Sequence, residues 1–309
     1  MASAVYDEHF GKPSGWAERS TGVAQRRFAD DGETASLLGE RAARAALARA
    51  GVAPESLGAI IGACGVMEQP IPSTAVLIHR RLGLQDTGIP AFDANATCLS
   101  FIAALRIAAL EIAAGARGPV LIVSSDIASA ALDPDDPETA PLFGDGAAAA
   151  VVGPGSGSMK ACRFETYSAG AESSWLGAGG SRLPARNIDA LMAESRFRMD
   201  GPLAYRVAAT HIRPFVDGLL EDAGWRLDDV DVIVPHQASG PAMALMVRRL
   251  GFDPSRTMRI IRSCGNMVAT SIPTALAVAH EEQRLAPGTR VLLLGTGAGV
   301  SLGGAAWEL

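Results

Sequence analysis

The chain has 309 residues, 48% of them hydrophobic and 19% charged, with a formal net charge of −6. A chain this apolar buries a sizeable core, which excludes disorder as its main state, and an acidic balance without a basic stripe argues against a nucleic-acid partner. The length fits one large domain or two of ordinary size. Residues 101–114 form the most apolar stretch, but Arg106 and Glu111 interrupt it and it is too short to cross a bilayer. The start, MASAVYDEHF, has no basic flank and no apolar run, so no signal peptide is expected. None of Cys64, Cys98, Cys162 and Cys264 lies in a C-x-x-C pair, so neither a zinc site nor a disulfide is expected. Each of the four is a core residue or a reactive thiol.

In chain order, helical and strand patterns alternate. Helical spacing covers 34–50 and stops at Gly51, and a short apolar strand follows at 57–63. A helix is predicted over 72–82 and a strand over 90–94. Residues 98–114 read as a helix apolar on all sides, then come a buried strand at 119–124, an acidic loop at 133–138 and an Ala/Val strand at 146–152. The second half repeats this order, with a helix at 205–223 running into Gly224, a strand at 230–235, an apolar helix at 271–283 and a strand at 290–294. The offset, about 170 residues, is far longer than a solenoid period and indicates duplication of one βα unit. Two halves are predicted, 1–157 and 158–309, each a mixed sheet faced by helices, with the two apolar helices forming a shared buried layer. The stretch 153–158 (GPGSGS) is the flexible candidate between them.

Three residues stand out chemically. Cys98 follows a strand and opens the first apolar helix, where unpaired amides and the helix dipole favour a thiolate; a small buried hydrophobe is the plainer reading. His236 follows the strand at 230–235, where sites form in such sheets. His9, His79, His211 and His280 read as surface or satisfied core groups. Asn266 lies in SCGNMVATS, which occupies in the second half the place of Cys98 in the first, although Gly265–Asn266 also reads as a simple turn. Duplication brings the two helix starts together, which places Cys98, His236 and Asn266 in one cleft. The sequence has no G-x-S-x-G elbow, no P-loop and no G-x-G-x-x-G after a strand.

Motifs along nearly the whole chain resemble those of the thiolase-superfamily condensing enzymes, and among them the β-ketoacyl-(acyl carrier protein) synthase III group. They are Trp16 with STGVAQR after it, IPSTA from Ile71, FDANATCLSF around Cys98, LFGDGAAAAVV from Leu142, VPHQAS around His236, CGNMVATSIPTAL around Asn266 and LGTGAGVSLGGAAW near the end. The resemblance implies an α/β architecture, the thiolase-like αβαβα five-layered fold built from two duplicated halves, in a homodimer or related heterodimer. It implies an acyl-Cys at Cys98 that condenses, with loss of carbon dioxide, with a malonyl-type thioester whose carbonyl is held by His236 and Asn266. Backbone amides of Cys98 and Gly299 are the expected oxyanion donors. Substrate contacts are expected from Trp16, Thr21, Ile71, Phe143, Met199, Tyr205 and Ser239. Arg206, Arg248 and Arg249 stand where an acidic acyl carrier protein docks, or form a solvated helix face. No resident cofactor and no metal is expected. The substrates are acyl-coenzyme A or acyl-carrier-protein thioesters, in a cytoplasmic setting without nucleic-acid or membrane partners.

The chain also departs from the family pattern. Only fifteen residues precede Trp16, so the family's first strand is expected to be missing or displaced. Ser20 replaces an arginine that contacts coenzyme A, acidic residues at 135–138 replace a second, and Pro241 replaces a basic carrier contact. These changes point to a specialised fatty-acid or polyketide-type pathway. Ile71 leaves room for a medium or branched acyl group. Two alternatives share the fold: acyl transfer to an alcohol or amine without decarboxylation, and a non-catalytic dimer partner, against which the presence of Cys98 speaks.

Overall fold

The computed structural model describes residues 1–155 and 157–309; Ser156, inside the predicted 153–158 connector, lies outside the described residues. Two short helices, α1 (Ala4–His9) and α2 (Trp16–Thr21), open the chain. Helix α3 (Ala35–Ala50) begins where the Thr34 side chain accepts a hydrogen bond from the Leu37 amide, and it ends at Gly51 in the left-handed region. Then follow β1 (Ala59–Gly62), α4 (Thr74–Arg81), β2 (Ala91–Asp93), α5 (Ser100–Ala113), β3 (Val120–Asp126) and β4 (Gly146–Val152). The rest comprises β5 (Ser158–Thr166), β6 (Ser174–Trp175), α6 (Ile188–Ala193), β7 (Arg198–Met199), α7 (Gly201–Ala223), β8 (Val232–Pro235), α8 (Gly240–Leu250), α9 (Ile261–Cys264), α10 (Ser271–Glu281), β9 (Arg290–Gly297) and β10 (Ser301–Glu308).

The first sheet has the order β2-β1-β3-β4, with β1 parallel to β2 and β3, and β4 antiparallel to β3. The second has the order β8-β9-β10-β5, with β8 parallel to β9, and β10 antiparallel to both its neighbours. Strands β1, β3 and β4 thus correspond to β8, β9 and β10. A parallel bridge between Ile233 and Thr257 stands in the place of β2. Among the described residues the first sheet has no strand beyond β4, where the second has β5.

Alternation along each strand sorts side chains into layers. Ala59, Ile61, Val120 and Ile122 face one way, and join Val232, Val234, Val291 and Leu293 of the second sheet around α5 and α10. Ile60, Leu121 and Val123 face the other way, against α3 and α4. Ile233, Leu292 and Leu294 face α7 and α8. The result is five layers, helix–sheet–helix–sheet–helix, as the resemblance implied.

Element boundaries differ from the sequence expectations for local reasons. Helix α4 starts at Thr74 because the Asp93 carboxylate accepts from the Thr74 and Ala75 amides, at 2.9 and 2.8 Å. Helix α7 starts at Gly201, with Asp200 accepting from the Leu203 amide at 2.8 Å. Helix α5 is not buried on every side: Leu110 is 61% exposed, so its second half keeps an open face. Strand β10 carries no readable alternation because Gly303 and Gly304 lie against Phe164, Leu99, Leu219 and Phe215, where side chains do not fit.

Ile102 sits in the central layer with no exposed surface. Ile102→Ala is expected to cost about 2–5 kcal/mol in urea unfolding, and Leu110→Ala no more than about 0.5 kcal/mol. Equal costs at the two positions would contradict this layer assignment.

Candidate active site

A tight 3-10 turn, Thr97–Leu99, precedes α5 and carries Cys98. Thr97 is left-handed, with φ 53°. The turn is held by its neighbours: Asn95 Oδ1 accepts from the Thr97 amide at 2.8 Å, and Ser100 Oγ accepts from the Ala96 amide at 2.9 Å. Cys98 therefore lies ahead of the helix rather than in its first turn. Burial pushes its thiol up to about 12, the Asp126 charge adds to this, and the amides of Cys98 and Ala298 oppose it. The thiolate expected from the helix dipole is thus not the resting form.

A second turn of the same shape, Val268–Thr270, precedes α10. Val268 is left-handed with φ 49°. Asn266 Oδ1 accepts from the Val268 amide at 2.9 Å, and Ser271 Oγ accepts from the Met267 amide at 3.0 Å. The duplication therefore pairs Asn95 with Asn266, Ser100 with Ser271, and Cys98 with Ala269. Asn266 Nδ2 donates one hydrogen to the Ala238 carbonyl at 3.2 Å, which fixes the amide orientation and leaves its second N–H. The LFGDG motif braces this residue from behind. The Asn266 amide donates to the Leu142 carbonyl and its carbonyl accepts from the Gly144 amide, each at 3.0 Å. A Cβ at Gly144 would overlap the Cys264 carbonyl, so the close approach requires glycine.

His236 follows β8 as Ala63 follows β1, and its amide donates to the Leu294 carbonyl at 2.7 Å. Gln237 anchors the next step, accepting from the Ile260 and Ile261 amides and donating to the Pro235 carbonyl. A Cβ added to Gly295 would lie 3.1 Å from His236 Cβ and 2.8 Å from Leu99 Cδ2, so glycine lets the histidine and the cysteine turn pack on the same stretch of β9. Burial lowers the His236 pKa to about 4, and the ring is neutral at pH 7. Its Nδ1 is buried without a partner among the described residues. An orphaned N–H costs more than an orphaned lone pair, so the hydrogen belongs on Nε2.

The turn from β9 to β10 supplies a further donor. The Ala298 amide, one residue before the expected Gly299, lies close enough to the Cys98 thiol to oppose the rise in its pKa. A Cβ at Gly297 would lie 2.7 Å from Thr97 Oγ1, so the bare backbone there leaves the thiol accessible to this turn.

Other predicted residues fall into three places. Phe143 and Met199 share an apolar cluster with Val23, Met243 and Val268, beside the Asn266 turn. Thr21 and Ser239 meet where α2 ends against the start of α8, a contact so close that Gly22 and Gly240 touch backbone to backbone. The Thr21 hydroxyl is already used, donating to the Ala17 carbonyl at 2.6 Å and accepting from the Val23 amide at 3.1 Å, and Ser239 caps α8. Trp16 packs on Phe10 with ring centroids 5.8 Å apart. Tyr205 is half-buried on α7. Ile71 stands out on the loop before α4, 85% exposed. Arg206, Arg248 and Arg249 are exposed and form no ion pair among the described residues. Arg213, two turns beyond Arg206, donates to the Arg249 carbonyl at 2.9 Å and so joins α7 to the end of α8. Among the described residues no group of three or more His, Cys, Asp or Glu is placed to hold a metal, and no helix is long and apolar enough to cross a membrane.

Sequence motifs alone do not single out Asn95, Ala298 and Asp126. Aligning NATCLS with NMVATS reveals the first, and a lone acid ending the apolar run VLIVSSD is the signal for the third.

Two family descriptions match this chain. 3-Oxoacyl-[acyl-carrier-protein (ACP)] synthase III covers residues 92–170, and the C-terminal part of that synthase covers residues 220–309. The beta-ketoacyl-[acyl-carrier-protein] synthase III 3 of Streptomyces coelicolor is 36% identical, over 94% of this chain and 88% of its own. An acetoacetyl CoA synthase from a Streptomyces species is 36% identical, over 96% of this chain and 92% of its own. The solved 3-oxoacyl-(acyl carrier protein) synthase III of Pseudomonas aeruginosa has a TM-score of 0.89 at 32% identity, covering 100% of this chain and 93% of that one. Fold and relatives together define a thiolase-like, acyl-transferring condensing enzyme. Within that class the chain belongs to the 3-oxoacyl-[acyl-carrier-protein] synthase III family.

The buried neutral histidine has a consequence for stability. Its folded pKa of about 4 lies below the ordinary 6.5, so its contribution is complete above 6.5 and is lost as the pH falls towards 4. Over that window the stability of the wild type is expected to fall by about 3 kcal/mol relative to His236→Asn, read by denaturant titration. Parallel pH profiles for the two proteins would contradict a buried neutral ring.

Proposed function

We propose that Cys98 accepts an acyl group from a thioester and that His236 and Asn266 then manage its condensation with a malonyl-type thioester. In the first step the Cys98 sulfur attacks the acyl carbonyl, and the thiol proton ends on the departing carrier thiol. The amides of Cys98 and Ala298 hold the oxyanion. In the second step the bond to the malonyl carboxylate breaks, carbon dioxide leaves, and its electron pair forms an enolate. The Nε2–H of His236 and the free Nδ2–H of Asn266 donate to the enolate oxygen. The enolate carbon attacks the acyl-Cys98 carbonyl, collapse expels the Cys98 sulfur as a thiolate that takes up a proton from solvent, and a β-ketoacyl thioester is released. The observation that carries this reading is the donor set: one uncharged ring and one carboxamide with a spare N–H, both buried, with no fixed negative charge of their own to oppose the enolate.

The priming donor is carrier-bound or held by contacts other than the family's coenzyme A arginines. Supporting this, the acidic loop is engaged internally: Asp133 pairs with Arg196, Asp135 with His9, and Glu138 accepts from the Gly201 amide. Arg206, Arg248 and Arg249 offer the basic face for an acidic carrier protein. The pathway is a specialised fatty-acid or polyketide one in the cytoplasm, where four unpaired cysteines remain reduced, and the reaction needs no resident cofactor. The active unit is a homodimer. Its support is the exposed apolar set Met67, Ile71, Val76 and Phe92, gathered around the unpaired edge of β2.

Three variants test these statements. Cys98→Ala is expected to lose the acyl adduct in intact-protein mass spectra, and an adduct that persists would remove Cys98 from its role. Asn266→Ala is expected to load acyl groups within about threefold of wild type yet decarboxylate about 100-fold more slowly; equal loss of both steps would overturn its assignment. Ile71→Asp is expected to convert a dimer to a monomer in light scattering, and a dimer of unchanged stability would sink the interface.

A further inference from the structure

Asp126 is a fully buried carboxylate that none of the steps above uses. It ends β3, one of the two inner strands of the first sheet, and accepts four hydrogen bonds. Oδ1 takes the Gly65 and Val66 amides, both at 2.8 Å, from the loop after β1. Oδ2 takes the amide and the hydroxyl of Thr270, at 3.0 and 2.9 Å, from the other half of the chain. No ion pair reaches it among the described residues. Its role is therefore to gather donors rather than to neutralise a cation. Burial pushes its carboxyl up to about 6, against the pull of these donors.

Both sets of donors lead to the proposed chemistry. Thr270 closes the turn whose Val268 amide orients the Asn266 side chain. Gly65 and Val66 follow Cys64, whose carbonyl lies 3.2 Å from Ser100 Oγ, the group that also accepts from Ala96 in the cysteine turn. The carboxylate thus stands midway in a chain of hydrogen bonds from the Cys98 turn to the Asn266 amide. The equivalent strand end in the second half is Gly297, which has no side chain to offer. Among the described residues no second carboxylate makes this connection, which runs alongside the backbone hydrogen bonds of Leu142 and Gly144 with Asn266.

We propose that Asp126 is a positioning residue for condensation: by clamping Gly65, Val66 and Thr270 it fixes the Asn266 carboxamide relative to the Cys98 turn. This rests on the condensation reading above. The clamp acts more on Asn266 than on Cys98, because Thr270 belongs to the same short turn, whereas the path to Cys98 runs through a longer contact at Ser100. Misplacing a donor by a fraction of an ångström to an ångström costs catalysis heavily while leaving the fold in place.

The test compares Asp126→Asn, Thr270→Val and Thr270→Ser in the full chain, with acyl loading followed by intact mass and condensation followed by carbon dioxide release. Thr270→Val removes one donor without changing shape. It is expected to lower the condensation kcat about tenfold with loading within about twofold of wild type. Thr270→Ser keeps the hydroxyl and is expected to restore condensation to within about twofold. Asp126→Asn, which sets an NH2 against two donors, is expected to show the larger loss in condensation, with its loading read separately because removing the charge also lowers the Cys98 pKa. Hydrogen exchange of the 262–275 segment is measured alongside, and faster exchange there in Thr270→Val is expected. Equal losses in loading and condensation, or wild-type condensation in Thr270→Val, would overturn the proposal. If the wild type itself loads acyl groups but never condenses them, the condensation reading fails. The exchange data then decide the clamp alone, with unchanged exchange in Thr270→Val counting against it.

Discussion

Helices α5 and α10 share a single apolar layer between two sheets, and the remaining geometry follows from that packing. Each helix is pressed between Val, Ile and Leu side chains of strands from both halves, so neither slides without opening voids in the core. Each is preceded by a 3-10 turn whose first residue, Thr97 or Val268, is left-handed. Locking the helices therefore locks the turns, and residues far apart along the chain come to face one another. Glycines at Gly144, Gly295 and Gly297 then let backbone approach where a methyl group would hold it off. The hydrophobic effect supplies the adhesion, and the glycines set the distances.

Within that frame the site is poor in charge. The thiol is held protonated by burial, the imidazole is held neutral by burial, and the amide is neutral by nature. With these groups buried, the arrangement avoids the large cost of stranding an isolated ion. It also makes each N–H a stronger donor than it is in water. Negative charge arises during the reaction itself, so donors that carry no charge beforehand bind the later state better than the earlier one. The carboxylate that is present, Asp126, is saturated with donors and turned away from that task.

Much of the architecture was legible because it is written in side-chain periodicity. The runs VLIVS and VDVIVP are apolar on both faces, as strands between two helical layers must be, and the matched apolar helices announce the shared layer. The side chains proposed for the site stood out for a different reason: each sits at an element end, where motifs are dense. What the sequence hid is backbone and context. The Ala298 amide has no side-chain signature, and a Gly-rich loop does not announce which of its amides faces the thiol. Cys98 was expected to gain from a helix dipole, but a tight turn intervenes and burial outweighs the amides that do reach it. Strand β10 was hidden because its glycines serve neighbours rather than a periodic face. Thr21 and Ser239 look like ligands in a motif, and in space they are occupied in capping.

The two halves are alike enough in backbone that the molecule holds two nests, and side chains alone decide which one can react. In one nest the strand ends bear His236 and Gly297, and the turn bears Cys98. In its twin the matching positions are Ala63, Asp126 and Ala269. The twin carries neither thiol nor imidazole; in their place a carboxylate ties Gly65 and Val66 of one half to Thr270 of the other. Doubling of one βα unit has left this protein with one strand end that bears the nucleophile's partners and another that bears a joint between the halves.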